Sequence, residues 1–92
     1  MIVRILSDGQ YEVPDDLLGR LNELDNEAVA AVEAGDEDRF HVLFGQMVEL
    51  VENGGSPLPE DELAQSQVIL PPRDVTFEEA KGDFTGEGLI PD

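Results

Sequence analysis

The sequence predicts an α+β fold: an N-terminal β-hairpin, an antiparallel helix pair, and an irregular C-terminal segment with a short strand and a short helix. Three observations carry that expectation. The first 13 residues alternate and turn as a hairpin does. Two consecutive stretches between Pro14 and Gly54 place apolar residues at a helical period. From Ser56 onward, prolines and short apolar runs replace that periodicity.

In the hairpin, Ile2-Val3-Arg4-Ile5-Leu6 is β-branched and apolar, and Gln10-Tyr11-Glu12-Val13 alternates polar with apolar. Ser7-Asp8-Gly9 between them is turn chemistry, because glycine reaches positive φ without steric cost. Two strands alone are not stable, so they must pack on helices or pair with another strand. The first helix is expected to take Pro14 into its first turn, with Asp15 and Asp16 favourable at its positive end, and to stop at Gly35. Leu17, Leu21, Leu24, Ala28, Ala31 and Val32 share one face, and Glu23 and Glu27 lie opposite. Asp36 is expected to be the N-cap of the second helix, whose stripe is Phe40, Leu43, Phe44, Met47, Val48 and Val51. Gly45 falls on its outer side and Gly54-Gly55 ends it. A connection as short as Gly35 forces the helices antiparallel.

Ser56-Pro57-Leu58-Pro59 reads as a rigid connector, and Glu60-Asp61-Glu62-Leu63 as a single helical turn. Val68-Ile69-Leu70, bounded by Pro71-Pro72, reads as a third strand or a buried extended segment. Thr76 and Glu79 have capping-box spacing, so a short helix over 76–81 should turn Phe77 and Ala80 inward. The apolar pair Leu89-Ile90 in the tail is expected to dock on the body. No internal repeat is present, and glycine and proline are too dispersed to mark a second domain, so residues 1–92 are read as one.

The chain has 92 residues, 22 of them acidic against five basic, for a formal charge of −17. Binding to nucleic-acid phosphates needs clustered Lys and Arg, so this balance argues against it. It argues equally against direct binding to anionic lipid. The same acidity fits a solubility role, adaptation to a salty cytoplasm, a basic partner, divalent cations, or mimicry of DNA. Lys81 stands alone against Arg4, Arg20, Arg39 and Arg73, a balance common in proteins of salt-adapted organisms and of GC-rich genomes. Without cysteine there is neither a disulfide framework nor thiolate chemistry. The N-terminus does not read as a signal peptide, and no run approaches the roughly 18 apolar residues of a membrane helix, so a cytoplasmic location is expected.

No catalytic, cofactor or metal site emerges from the residues. His41 is the single histidine, at the edge of the second helix's apolar stripe, with no Ser or Cys placed beside it as a nucleophile. Asp36-Glu37-Asp38 and Glu60-Asp61-Glu62 are the densest acidic clusters, yet neither has the alternating ligands, central glycine and distal glutamate of a calcium loop. Gly54-Gly55 lacks a phosphate-loop lysine, and no serine sits in a nucleophile elbow.

The order and spacing of several segments resemble the PspA-associated (PspAA) domain family across essentially the full chain. They are the opening run 1–13; Leu21-Asn22-Glu23-Leu24-Asp25; Ala31-Val32-Glu33-Ala34-Gly35-Asp36-Glu37; Gly55-Ser56-Pro57-Leu58-Pro59; Val68-Ile69-Leu70-Pro71-Pro72; and Glu87-Gly88-Leu89-Ile90-Pro91. Ser7 departs from the glycine expected there, which bears on the turn more than on any site. The resemblance carries no catalytic motif. It implies an accessory that binds or regulates PspA, a long coiled-coil protein of the envelope-stress (phage-shock) system. Location would then be cytoplasmic, with recruitment to the inner face of the membrane through that partner.

A helix pair with a short sheet offers a groove to an amphipathic helix, and an acidic domain can steer toward basic stretches of a coiled coil. The candidate contacts are therefore Tyr11, Glu23, Glu27, Val42, Leu89 and Ile90, each of which also reads as ordinary packing or solvated surface. Two alternatives remain beside the accessory role: an acidic DNA mimic or antitoxin-like inhibitor of a basic partner, and an uncharacterised enzyme or cation-binding domain. Oligomeric state is left open.

Overall fold

The structure is a computed structural model that describes residues 1–6, 8–59 and 68–84. β1 (Ile2–Ile5) and β2 (Gly9–Glu12) pair antiparallel, with Ile2 opposite Glu12 and Ile5 opposite Gly9. The turn closes as expected: the Asp8 N–H donates to the Ile5 carbonyl at 2.9 Å, and Gly9 takes φ 117°. Alternation along β1 turns Val3 and Ile5 into the core and leaves Arg4 in solvent.

α1 (Asp15–Ala34) begins one residue later than the sequence suggests. Pro14 sits outside the helix in extended backbone (φ −61°, ψ 149°), so Asp15 and Asp16 form the first turn. Proline's fixed φ suits both placements, and only ψ separates them. At the other end Gly35 is left-handed (φ 72°), with its N–H on the Val32 carbonyl and the Asp36 N–H on that of Ala31, the paired bonds of a Schellman close. The Asp36 side chain then caps α2 (Glu37–Gly54) by accepting from the Arg39 N–H at 3.2 Å. One residue thus finishes one helix and starts the next, which fixes the antiparallel hairpin. All six apolar residues assigned to the stripe of α2 are buried.

Ser56-Pro57 is not merely a connector. It forms β3 (Ser56–Pro57), which pairs antiparallel with β2, Tyr11 opposite Pro57 and Glu12 opposite Ser56, and the Leu58 N–H donates to the Gln10 carbonyl at 2.9 Å. Proline is tolerated because the strand is an edge. Gly55 makes the approach sterically feasible: a Cβ there would stand 2.6 Å from the Val51 carbonyl oxygen and 3.1 Å from that of Glu12. Both are backbone atoms and cannot swing away. Gly55→Ala is therefore expected to cost about 1–3 kcal/mol in urea unfolding and to speed exchange of the Leu58 amide. An unchanged midpoint would show that β3 is not held by this contact.

β4 (Val68–Leu70) pairs parallel to β1, giving the sheet order β3-β2-β1-β4. A parallel neighbour requires a long crossover, and the helix hairpin lies within it. α3 (Phe77–Asp83) is headed by the complete Thr76–Glu79 capping box, and Phe77 and Ala80 face inward as expected. The four phenylalanines of the chain meet in one cluster: Phe40 lies 5.8 Å from Phe44, 6.0 Å from Phe77 and 5.2 Å from Phe84 between ring centroids. Arg73 ties distant pieces together, reaching Asp8 in the hairpin turn at 2.6 Å and Glu52 near the end of α2. The expected helical turn at Glu60-Asp61-Glu62-Leu63 and the docking of Leu89-Ile90 lie outside the described residues.

Candidate interaction surface

The outer side of the helix pair carries three of the residues the sequence singles out. Glu23 and Glu27 are one turn apart on α1 and both are exposed, as a 3.6-residue period opposite the apolar stripe requires. Neither is a bare charge. Glu23 accepts from Arg20 at 3.3 Å, and Glu27 lies 3.9 Å from Arg39 across the hairpin on α2. Such exposed pairs contribute at most about 1 kcal/mol and open readily to a competing charge. Val42, one turn past Arg39, is 61% exposed and is one of three large apolar side chains in solvent among the described residues. From one turn further along α2, at Gln46, a groove of about 300 Å³ runs between the helices, lined by Arg20, Leu24, Gln46, Glu49, Leu50 and Asn53 with Gly54 at its end. Glu49 makes no ion pair with a described residue. The groove has an apolar floor in Leu24 and Leu50 and a polar rim, the composition that suits a side chain from a partner helix.

Tyr11 does not belong to this surface. It lies in β2, opposite Val3 and Pro57, and is half-buried against the core. Leu89 and Ile90 lie outside the described residues. The sequence therefore groups as candidates residues that the fold separates: Glu23, Glu27 and Val42 share the helix layer, and Tyr11 belongs to the sheet.

His41 contributes to a second depression of about 220 Å³, with Phe44, Gly45, Val48, Glu49 and Arg73. Its ring packs edge-on against Phe40 at 5.3 Å, and its Nε2 is 3.9 Å from Glu37. That arrangement positions the imidazole on the surface of the aromatic cluster, with no hydroxyl or thiol nucleophile in the lining. Among the described residues no group of three or more His, Asp or Glu side chains is placed to hold a metal ion. Asp25 is the one charged side chain in the core there. It is engaged in a polar interaction within the fold, as a buried carboxylate must be. No described helix is long and apolar enough to cross a membrane.

Sequence reasoning did not single out the sheet's outward side. Leu6 and Ile69 are 58% and 52% exposed, and Arg4 lies opposite Ile69 in the ladder. The signal was available: β1 and Leu6 are apolar at both parities, which a strand with one wet face does not need.

No curated protein and no solved structure matches the chain. One family model does, that of the PspA-associated proteins (PspAA), and it aligns with residues 1–92. A match over the entire length, to a family the segment order already resembles, settles the family question: the chain belongs to the PspA-associated protein family.

Proposed function

We propose that this chain is a non-enzymatic accessory protein that folds as one domain and binds a PspA-type coiled-coil protein in the response to envelope damage. The observation that carries this reading is the family match over residues 1–92, because the family's name implies association with PspA. The helix face supplies a physical means. Its exposed acids attract basic stretches of a coiled coil, and the groove beside Leu50 accepts an apolar side chain once the two are in contact. The partner, rather than this chain, would bring the complex to the membrane.

The test is a pull-down from host lysate at the salt of the host, with mass spectrometry of what is retained. Recovery of a PspA-type protein is expected with the wild-type chain. Glu23→Lys/Glu27→Lys should reduce recovery by about tenfold, through slower association. Recovery of nucleic-acid enzymes without that protein would instead favour an acidic DNA mimic.

A further inference from the structure

We propose that the outward face of the sheet is a second docking surface, whose occupant is an amphipathic helix that carries a carboxylate beside its apolar stripe. The ladder places Arg4 between Gln10 on β2 and Ile69 on β4, so all three share the face turned away from the core. Ile2 lies on the same side by alternation. So does Leu6, whose N–H continues the ladder onto the Leu70 carbonyl at 3.1 Å. Leu6 and Ile69 are two of the three large apolar side chains in solvent among the described residues, and both flank Arg4.

Charge selects the occupant. The chain has five cationic side chains. Four are matched internally: Arg20 with Glu23, Arg39 with Glu27, Arg73 with Asp8, and Lys81 with Glu78. Arg4 alone makes no ion pair with a described residue. Glu12, its diagonal neighbour across β2, lies instead 3.5 Å from the N-terminal amine. In a chain with 22 acids, a cation that makes no ion pair with a described residue, on a face holding two of the three large exposed apolar side chains among those residues, is a site of the opposite sign to the chain's net charge. Covering Leu6 and Ile69 also desolvates the guanidinium. That is costly unless the partner supplies a carboxylate, to which the planar fork of arginine is shaped.

Size argues against the other occupants. Three strands of about four residues present a footprint of about 200 Å², far below the roughly 800 Å² per partner of a stable dimer interface. One helix, about 10 Å across, covers it. A net charge of −17 opposes an anionic bilayer, and a single arginine does not reverse that.

The test is amide chemical-shift mapping on the labelled full chain in molar KCl, which screens long-range repulsion. The probe is a synthetic helical peptide of about five turns with leucines at i, i+3, i+4 and i+7 bordered by glutamates. Shifts are expected at 2–6, 9–12 and 68–70. Arg4→Gln and Ile69→Ser, both at exposed positions, should each raise Kd about tenfold with the spectrum still folded. The same peptide with lysines for glutamates should leave those amides unmoved.

Absence of shifts there, or equal shifts from the lysine peptide, would overturn the proposal. So would a dimer in sedimentation equilibrium that Arg4→Gln dissolves, or vesicles of phosphatidylglycerol bound through the same residues, since each names a different occupant. The surface is separate from the helix face and its probe is not a PspA-type protein, so either reading can fail without the other.

Discussion

Phe40→Ala is expected to lower unfolding stability by about 3–5 kcal/mol, the usual cost of emptying a buried phenylalanine site. Phe40 is fully buried and is the ring at which Phe44, Phe77 and Phe84 converge. Phe77 and Phe84 come from α3 and its C-cap, so the vacancy also loosens the attachment of the C-terminal segment to the helix pair. Domains of this length have about 5–14 kcal/mol in total, so the variant should be near half-unfolded in modest urea. His41→Ala provides the control. His41 touches the outer edge of Phe40 but is exposed, and its loss should stay within about 0.5 kcal/mol. A Phe40→Ala cost below about 1 kcal/mol would mean that the aromatic cluster does not hold the C-terminal segment.

Dilution of salt is expected to lower the unfolding midpoint by roughly 10 °C between molar KCl and low-salt buffer, equivalent to about 2 kcal/mol for a domain of this size. Two effects of salt oppose each other. Screening weakens the ion pairs of Arg20, Arg39, Arg73 and Lys81, which favours low salt. It also relieves repulsion among 22 acids on a 92-residue surface, which favours high salt. Exposed pairs contribute a few tenths of a kcal/mol each, whereas an excess of 17 negative charges repels across the whole surface, so the second effect should win. Circular-dichroism melts at the two salt levels read the sign directly. A higher midpoint in dilute buffer would show that the ion pairs dominate and that the acidity is not an adaptation to salt.

The helices were legible because their signals are local. The stripe of α2 repeats at 3.6 residues without interruption, and all six of its assigned residues are buried. The capping box at Thr76 and the glycine stop at Gly35 are each decided by residues within four positions. What escaped depends on distant contacts. Val29 and Asp25 fall outside the stripe assigned to α1, yet both are buried, and α1 packs on α3 as well as on α2. β3 was hidden by Pro57, which lacks the donor a strand ordinarily contributes, and its pairing follows from the approach of Gly55 to the backbone of β2.

The candidate surface divides the same way. Exposure of Glu23, Glu27 and Val42 follows from helical phase. The pairing of Glu27 with Arg39 does not, because it depends on how the two helices align. Tyr11 is placed by the register of β2 between Val3 and Pro57 and is half-buried against the core, which no pattern within the strand itself specifies. The outward sheet face needed β4 beside β1 to become a surface at all.

The proposed association with a PspA-type coiled-coil protein is tested most directly by calorimetric titration of that purified protein into this chain at molar KCl. Saturable binding with a micromolar or tighter Kd is predicted, weakened about tenfold by Glu23→Lys/Glu27→Lys. No binding at the highest soluble concentration, with the domain shown folded by its circular dichroism, would contradict it.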